Sequence, residues 1–393
     1  MAKLLQIGAG NIGRGFIARL FYNNGYDIMF ADVDLEMVSL LNARKQYLVE
    51  VSMQEIQQEY IVLESACDSN DSTAFQTCFR NASIITTAVG ASILKYVAEN
   101  IATAIKVKMQ QEDWRKQTII ACENYIRASS YLKELVFKKL TSDEQAFCKK
   151  TITFADCAVD CIVPPSHTEN RTTVRVEQFY ELVIEQTGIV DLELLAIPDI
   201  IFTEDVIPFI ERKLFTLNAA HATTAYLGHY LDYHLIDEAI ADPRIRLFIT
   251  KMMEKNGEIL CQKHGFDPQA HAIYIDKIIT RFDNRFLADD VARVGRDLLR
   301  KIRNNERLIA PINEGLKLGI NCEILYQVVA IALHYINNQE LDTLIVQRLF
   351  DTRDIEPTLR YLTGLEDTVA IEAIASAYMR IEKEGITWIF QYS

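Results

Sequence analysis

The stretch Leu4-Leu5-Gln6-Ile7-Gly8-Ala9-Gly10-Asn11-Ile12-Gly13 decides the fold of the first half of this chain. An apolar run that is too short for a helix leads into the spacing Gly-x-Gly-x-x-Gly, and apolar residues then recur at helical spacing as far as Phe21. A turn and a second predicted strand, Asp27–Ala31, complete a β-α-β unit of about 30 residues, the context that a dinucleotide-binding fingerprint requires. The free N–H groups and the dipole at the start of such a helix favour a diphosphate.

Asp32 ends the second predicted strand and is the acidic residue that this fingerprint requires about 20 residues further on. A carboxylate at this position can accept hydrogen bonds from both ribose hydroxyls of the adenosine and repels a 2′-phosphate. The sequence therefore predicts NAD, not NADP, as the cofactor. The predicted cofactor-binding residues are Gly8, Ala9, Gly10, Asn11, Ile12, Gly13, Asp32, Val89 and Gly90.

Composition and charge exclude several classes of protein. The chain has 393 residues, which suggests two domains, and a net charge of −13, which argues against nucleic acid and anionic membranes as partners. No apolar stretch approaches the ~20 residues of a membrane span, and no signal peptide is visible. The eight cysteines and seven histidines are scattered without a metal-binding spacing, so we expect a reduced, cytoplasmic and metal-free protein. The oligomeric state stays open, with a monomer compatible with the sequence.

The order of predicted elements indicates a Rossmann-type α/β domain followed by an all-α domain. Strands that alternate with helices predict a doubly wound, mostly parallel sheet. The predicted strands are Ile84–Thr87, Thr118–Cys122, Thr151–Ala155, Val174–Val176 and Tyr180–Ile184, with a possible hairpin of Tyr47–Val51 and Tyr60–Leu63; the predicted helices are Leu35–Ala43 and Ser92–Met109. Beyond about residue 200 strand-like runs are absent. We predict domains 1–195 and 196–393, with the boundary near Pro198.

In the second half, apolar residues recur at helical spacing almost throughout. The predicted helices are Ile210–Tyr230, Ile245–His264, Pro268–Arg281, Asp290–Arg303, Glu323–Tyr335, Leu341–Phe350 and Thr368–Lys383.

In the first half, Asp32, Gly90 and Asn124 all follow predicted strands. Because ligands of open α/β sheets bind at the carboxyl ends of the strands, we expect these three residues at one edge of the sheet.

The stretch Lys213-Leu-Phe-Thr-Leu-Asn218-Ala-Ala-His221 combines an amine, a carboxamide and an imidazole. On a regular α-helix the three side chains project within an arc of roughly 140°. A lysine can remove the proton of an alcohol when desolvation or nearby positive charge lowers its pKa, and asparagine can stabilise a developing oxyanion. Each residue alone also fits an ordinary structural role. Together with the dinucleotide site, they predict hydride chemistry at a carbinol carbon.

The segment Gly8-Ala-Gly-Asn-Ile-Gly-Arg-Gly-Phe-Ile17 resembles the N-terminal signature of the mannitol-1-phosphate 5-dehydrogenases, which belong to the polyol-specific long-chain dehydrogenases. Later motifs are similar in the same order as far as residue 311: Thr86-Thr-Ala-Val-Gly90, Ala121-Cys-Glu-Asn-x-x-Arg127, Ala158-Val-Asp-x-Ile-Val-Pro164, Phe209–Asn218 with His221, Val291-x-Arg-Val-Gly-Arg296 and Arg307-Leu-Ile-x-Pro311. The resemblance implies a metal-independent, NAD-linked interconversion of mannitol 1-phosphate and fructose 6-phosphate. By the same resemblance, Lys213 is the general base, and Asn124, Asn218 and His221 are its companions.

The sequence departs from this pattern at two positions. Cys161 stands where the family usually has arginine, and Ala220 stands where it usually has glycine. The first departure removes a positive charge and puts phosphate recognition in question; the second is conservative in a helix.

Arg127 is the first candidate for phosphate binding, because it follows Asn124 by three residues and would face the same side of a helix beginning there. The weaker candidates are Arg212, Arg281 and Arg285. The alternative is that Arg127 only pairs with a carboxylate. Two other functions also stay open: a related NAD-dependent reductase of hexuronates or unphosphorylated polyols, and a non-catalytic protein that senses NAD.

Overall fold

The structure is a computed structural model that describes residues 2–52, 55–164, 170–187, 189, 195 and 197–391. The chain divides into two compact units, Met1–Ile210 and Glu211–Ser393. The sequence-based boundary lies before the strand Ile200–Thr203, but this strand pairs with Glu181–Glu185 inside the first unit. The statement that strand-like runs end by about residue 200 is therefore wrong at this strand, which pairing with a neighbour stabilises.

A six-stranded parallel sheet forms the centre of the first unit, as the alternation of elements predicts. Its strands are β1 (Lys3–Ile7), β2 (Asp27–Asp32), β5 (Ser65–Asp68), β6 (Ile84–Thr87), β7 (Gln117–Ala121) and β8 (Ile152–Phe154). Their order is β5-β2-β1-β6-β7-β8, and every pairing is parallel. The chain reverses its direction of winding at β1, so the crevice for a ligand lies at the carboxyl ends of β1 and its neighbours.

Both faces of this sheet are buried, which explains why its strands read as continuous apolar runs. Leu4 packs on one face and Leu5 on the other, since successive side chains of a strand point to opposite sides. The helices of the first unit are α1 (Arg19–Asn23), α2 (Leu35–Arg44), α3 (Ser72–Asn81), α4 (Leu94–Gln110), α5 (Ala128–Phe137) and α6 (Ser142–Thr151); α7 (Ile207–Arg212) begins in the first unit and ends in the second. The core around Leu4 includes α1 and α2, and the core around Leu5 includes α3 to α6.

Two small sheets complete the first unit. The predicted hairpin is confirmed as β3 (Gln46–Ser52) and β4 (Ile56–Val62), which pair antiparallel, and β10 (Val174–Glu177) joins β3 in parallel. The other sheet contains β9 (Cys157–Asp160), β11 (Glu181–Glu185) and β12 (Ile200–Thr203). The later predicted strands are thus real, but they pair outside the main sheet.

The described residues of the second unit form helices joined by loops, with one isolated β-bridge between Leu235 and Asp290. Its helices are α8 (Ala219–Tyr230), α9 (Ile236–Ala241), α10 (Pro243–His264), α11 (Pro268–Phe282), α12 (Val291–Gly295), α13 (Leu298–Lys301), α14 (Ala310–Leu318), α15 (Glu323–Leu333), α16 (Leu341–Thr352), α17 (Ile355–Thr363) and α18 (Thr368–Glu384). The 22-residue helix α10 packs against α8, α9, α11, α14 and α15. Asp242 caps its first turn, Pro243 fits the first helical position, and Gly265 ends it in a left-handed conformation.

One predicted helix of this unit is broken in the structure. The expectation of a single helix over Asp290–Arg303 is wrong, because the chain leaves the helix after Gly295 and starts again at Leu298. Between them, Asp297 adopts a left-handed backbone with φ 59°. Among the described residues, no helix is long and apolar enough to cross a membrane.

Candidate active site

The glycine-rich loop has the geometry that a diphosphate needs. A Cβ atom added at Gly13 would lie 2.2 Å from the carbonyl oxygen of Gly8, so only glycine lets the helix approach the strand this closely. A Cβ atom at Gly10 would meet no atom within 4 Å, so the loop is open on that side. The helix begins with a π-helical segment, Gly13–Ala18, and continues as α1. The loop therefore fits a dinucleotide on the open side of Gly10.

Asp32 lies at the end of β2 and faces this loop. Its carboxylate accepts hydrogen bonds from the backbone N–H of Ala9, at 2.5 Å, and from that of Asp34, at 2.9 Å. A cavity of about 340 Å³ lies beside it and is lined by Gly8, Gly10 and Val89, among others. The structure thus brings four of the predicted cofactor residues together in the first unit, within reach of one adenosine and its phosphates.

The same cavity has a wall that the sequence reasoning missed. Ser69 and Asn70 follow β5, Tyr96 and Asn100 belong to α4, and all four line the cavity. The amide of Asn100 donates to the carbonyl oxygen of Ser69 at 2.8 Å and fixes this wall. Among the remaining predicted residues, the side chain of Asn11 donates to the carbonyl oxygen of Pro164, and Ile12 packs against the core.

Glu123, buried beside the loop that follows β6, holds that loop in place. Its carboxylate accepts hydrogen bonds from the hydroxyl of Thr87 at 2.7 Å, from the backbone N–H of Val89 at 3.0 Å and from that of Gly90 at 2.8 Å. Gly90 has φ 94°, a conformation that glycine adopts without strain. Because Val89 lines the cofactor cavity, we infer that Glu123 positions the turn against which the cofactor rests.

Replacing Glu123 with glutamine is expected to weaken NADH binding by about tenfold or more. The amide offers one acceptor oxygen where the carboxylate offered two, and a hydrogen bond to a charged group contributes about 1.5–3 kcal/mol. Fluorescence titration with NADH measures the effect. The exposed Glu134→Gln variant, on α5, is the matched control. An unchanged dissociation constant for Glu123→Gln would contradict the positioning role.

Asn124 and Arg127 lie in an irregular segment between β7 and α5. The helix begins only at Ala128, so the expectation that Arg127 lies one turn along a helix from Asn124 is wrong. Arg127 itself has a left-handed backbone, with φ 53°, and Asn124 is exposed. The strands β2, β6 and β7 are parallel strands of one sheet, with β1 between β2 and β6, and Asp32, Gly90 and Asn124 lie at or just beyond their carboxyl ends, as predicted.

The guanidinium of Arg127 is surrounded by carboxylates. It lies 3.2 Å from Asp156, 3.2 Å from Glu185 and 3.4 Å from Asp205. Burial acts to lower the pKa of Arg127, but Glu185 and Asp156 outweigh it and raise the pKa above its ordinary value. An arginine held by three carboxylates offers little attraction to a further anion, so the structure weakens its assignment to the phosphate.

Lys213 and Asn218 are the two ends of a π-helical segment, Lys213–Asn218, which continues as α8. The backbone N–H of Ala219 donates to the carbonyl oxygen of Leu214, the i→i+5 pattern of a π-helix. The assumption of a regular α-helix is therefore wrong here. A wider turn brings residues five positions apart closer to one face, so Lys213 and Asn218 lie on more similar sides of the helix than 3.6 residues per turn allow. Such π-bulges occur frequently at functional sites.

His221 is held in the interior of the second unit. Its ring stacks on Phe282 with centroids 4.9 Å apart, and its Nε2 atom lies 3.0 Å from a carboxylate oxygen of Asp289, at an angle that is poor for a hydrogen bond. Burial lowers the pKa of His221, although Asp289 acts to raise it. A neutral imidazole can donate at one nitrogen and accept at the other. Burial also acts to raise the pKa of Asp289, but His221 and Arg293 outweigh it and keep this carboxyl below its ordinary value.

Asn218 and His221 line one cavity of about 190 Å³, and most of its other polar lining is basic. The basic residues are Arg293, Arg296, Arg300, Lys301 and Arg307. Sequence reasoning did not assign them to the site, because it placed most of them on a single helix. Their density over Arg293–Arg307 in a chain of net charge −13 was the available signal.

The other predicted phosphate residues lie elsewhere in the second unit. The guanidinium of Arg212 stacks on the rings of Tyr274, at 4.5 Å, and Phe266, at 5.5 Å. Arg281 is buried in α11, and Arg285 lies over the ring of Phe286. None of the three lines the cavity of Asn218 and His221.

The two departures from the family pattern have different consequences. Cys161 packs against the apolar core of the first unit, so no positive charge stands there. Ala220 is fully buried in α8, where its methyl group is accommodated. Within the described parts of the chain, no group of three histidine, cysteine or acidic side chains is arranged to hold a metal ion.

The first unit has a dinucleotide-binding sheet. The helical second unit has asparagine, histidine and basic side chains around one cavity of its own. These features define a class of two-domain dehydrogenases. Residues 2–196 match the Rossmann domain of mannitol dehydrogenases, and residues 205–351 match the C-terminal domain of the same enzymes. The chain belongs to the mannitol dehydrogenase family, and it is an NAD-dependent polyol dehydrogenase.

A curated relative supports this membership, and two solved structures share the fold. Mannitol-1-phosphate 5-dehydrogenase of Bacillus velezensis is 40% identical over 365 residues, which cover 92% of this chain and 95% of the relative. The ternary complex of Pseudomonas fluorescens mannitol 2-dehydrogenase with NAD and D-mannitol has a TM-score of 0.81 at 17% identity and covers 100% of this chain and 94% of that one. A substrate-free D-sorbitol dehydrogenase has a TM-score of 0.80 at 15% identity, with 98% and 94% covered. The two structures establish the fold.

Proposed function

We propose that this enzyme interconverts mannitol 1-phosphate and fructose 6-phosphate with NAD, without a metal ion and with Lys213 as the general base. The observation that carries the proposal is the basic cavity of the second unit, which Asn218 and His221 line. An anionic sugar suits such a cavity far better than a neutral polyol does, because the cavity concentrates positive potential in a chain whose net negative charge otherwise repels anions. The 40% identity to a mannitol-1-phosphate 5-dehydrogenase supports the same substrate.

The oxidation removes a proton from the hydroxyl oxygen at C5 of mannitol 1-phosphate and a hydride from C5 itself. NAD, when bound, supplies the acceptor for the hydride. The neutral amine of Lys213 takes the proton, so that the C5–O bond becomes the carbonyl of fructose 6-phosphate. In the reverse direction the ammonium of Lys213 returns the proton to the carbonyl oxygen.

The neighbours of Lys213 act on the oxygen atom. The side-chain amide of Asn218 lies one π-helical turn away and donates to the oxygen as negative charge develops on it. We assign the same role to Asn124 in the first unit. His221, held against Phe282 and beside Asp289, orients the substrate as a neutral ring.

The products of the reaction test this proposal. Incubation of the enzyme with mannitol 1-phosphate and NAD should give fructose 6-phosphate and NADH in equal amounts, with the sugar identified by nuclear magnetic resonance. Dialysis against EDTA should leave the rate unchanged. A different ketose phosphate would contradict oxidation at C5. Activity that is lost with EDTA and restored by zinc would contradict the metal-free mechanism.

The choice of cofactor depends on Asp32 in this account. Asp32→Ala should weaken NADH binding and narrow the preference over NADPH, because it removes a ribose acceptor and the charge that repels a 2′-phosphate. Asp34→Ser is the matched control, since serine retains the cap of α2 while the charge is lost. The kcat/KM ratio of NADH to NADPH measures the effect. If only Asp34→Ser changes this ratio, Asp34 is the discriminating residue.

A further inference from the structure

The five basic residues of the cavity differ in how closely a carboxylate approaches them. Arg293 lies 2.5 Å from the carboxylate of Asp289, and Arg307 lies 3.3 Å from that of Glu306. These two guanidinium groups therefore have close counter-charges. Arg300 reaches Asp297 and Glu306 only at 3.5 Å each.

The remaining two cations donate to carbonyl oxygens, and Lys301 also lies over the ring of Tyr226, 5.8 Å from its centroid. The Nε atom of Arg296 donates to the carbonyl oxygen of Arg293 at 3.2 Å, and the ammonium of Lys301 donates to that of Val294. Among the residues that the structure describes, no carboxylate lies within ion-pair distance of either group. The cavity thus holds more positive than negative charge.

This excess charge is costly to the fold. Burial, together with the neighbouring Arg307 and Arg300, lowers the pKa of Lys301 to about 7. A buried cation beside like charges destabilises a protein unless an anion compensates for it. The break between α12 and α13 creates the arrangement, because Arg296 precedes the left-handed Asp297 and Arg300 lies in the following short helix.

We infer that Arg296 and Arg300 form the subsite for the phosphate group of the substrate, with Lys301 adding positive charge beside it. The inference rests on the proposed function, because it assigns one group of that substrate to one end of the cavity. Arginine suits this role, since its planar fork can donate two hydrogen bonds to a phosphate. Asn218 and His221 line the same cavity and would meet the polyol portion of the same molecule.

The assignment differs from the one that the sequence suggests. Arg127 is already held by three carboxylates, and Arg212, Arg281 and Arg285 lie outside this cavity. The phosphate subsite therefore belongs to the second unit alone.

Steady-state kinetics of Arg296→Ala, Arg300→Ala and the double variant test the subsite. We expect the KM for fructose 6-phosphate to rise about tenfold in each single variant and a hundredfold or more in the double variant. The weak rate on fructose, which has no phosphate, should change less than twofold. Arg303→Ala is the matched control, because Arg303 is an exposed arginine that does not line the cavity. Melting temperatures should not fall in Arg296→Ala, since an uncompensated cation is removed.

Inorganic phosphate provides a second measurement. It should inhibit the wild type competitively against fructose 6-phosphate, and the double variant should lose this inhibition. If the wild type prefers fructose 6-phosphate but the double variant keeps its KM and its phosphate inhibition, the subsite is wrong and the proposed function stands. If the wild type prefers fructose, the proposed function is wrong, and phosphate inhibition that disappears in the double variant still establishes an anion site. Equal losses on both sugars would mean that the arginines support the fold, which also overturns the inference.

Discussion

Lys213→Ala should lower turnover in both directions by several powers of ten and leave the affinity for NADH nearly unchanged. The amine is the only group that our account assigns to the transfer of the substrate proton, and the cofactor residues belong to the first unit. Lys213 opens the π-helical segment, so its loss does not remove a residue from the apolar core. Single-turnover measurement of NADH oxidation with fructose 6-phosphate gives the rate directly, without a contribution from product release.

Two further variants make the result specific. Lys213→Met keeps the length of the side chain and should be as slow as Lys213→Ala, because neither can exchange a proton. Lys277→Ala, at an exposed position of α11, should retain wild-type turnover. Turnover in Lys213→Ala within tenfold of the wild type would exclude this lysine as the general base.

Asn218→Ala and Asn124→Ala should each lower kcat by about a hundredfold to a thousandfold. Removal of one donor to a developing oxyanion typically costs about 2.7–4 kcal/mol in the transition state. Because the interaction strengthens only as charge develops, kcat should fall while the KM for fructose 6-phosphate changes little. Steady-state kinetics with saturating NADH separate the two constants.

Asn218→Asp is the sharper variant at this position. The carboxylate has the shape of the amide but cannot donate a hydrogen bond when ionised, and it would repel the oxyanion. It should be at least as slow as Asn218→Ala. The exposed Asn305→Ala variant of the same unit is the control. If Asn218→Asp keeps wild-type kcat, this side chain does not stabilise the oxyanion.

The central features of the first unit could be predicted from the sequence, because local physics decides them. The short apolar run, the three glycines and Asp32 specify a strand, a tight turn, a helix and a second strand in consecutive positions. The strand β5 was missed because its four residues, Ser65–Asp68, are too short and too polar to give a pattern. Ser69 and Asn70, which follow this strand and line the cofactor cavity, were missed for the same reason.

The second unit was predicted as helical but not in its functional detail. Hydrophobic periodicity does not distinguish a π-helical segment from an α-helix over six residues, so the relative direction of Lys213 and Asn218 was wrong. The break follows Gly295, but a single glycine does not distinguish a break from a continuous helix, and the left-handed backbone falls at Asp297 instead. For this reason the density of basic residues over Arg293–Arg307, although visible in the sequence, did not by itself indicate a cavity. The phosphate-binding role predicted for Arg127 failed for a similar reason, because its partners Asp156, Glu185 and Asp205 are distant from it in the chain.

The preference for a phosphorylated sugar tests the central claim most directly. Initial rates of NADH oxidation should be measured with purified enzyme at pH 7 against fructose 6-phosphate, fructose and tagaturonate, each over a full range of concentrations. The account predicts a kcat/KM for fructose 6-phosphate that exceeds the other two by at least a hundredfold. A kcat/KM for fructose or tagaturonate equal to or above that for fructose 6-phosphate would contradict it.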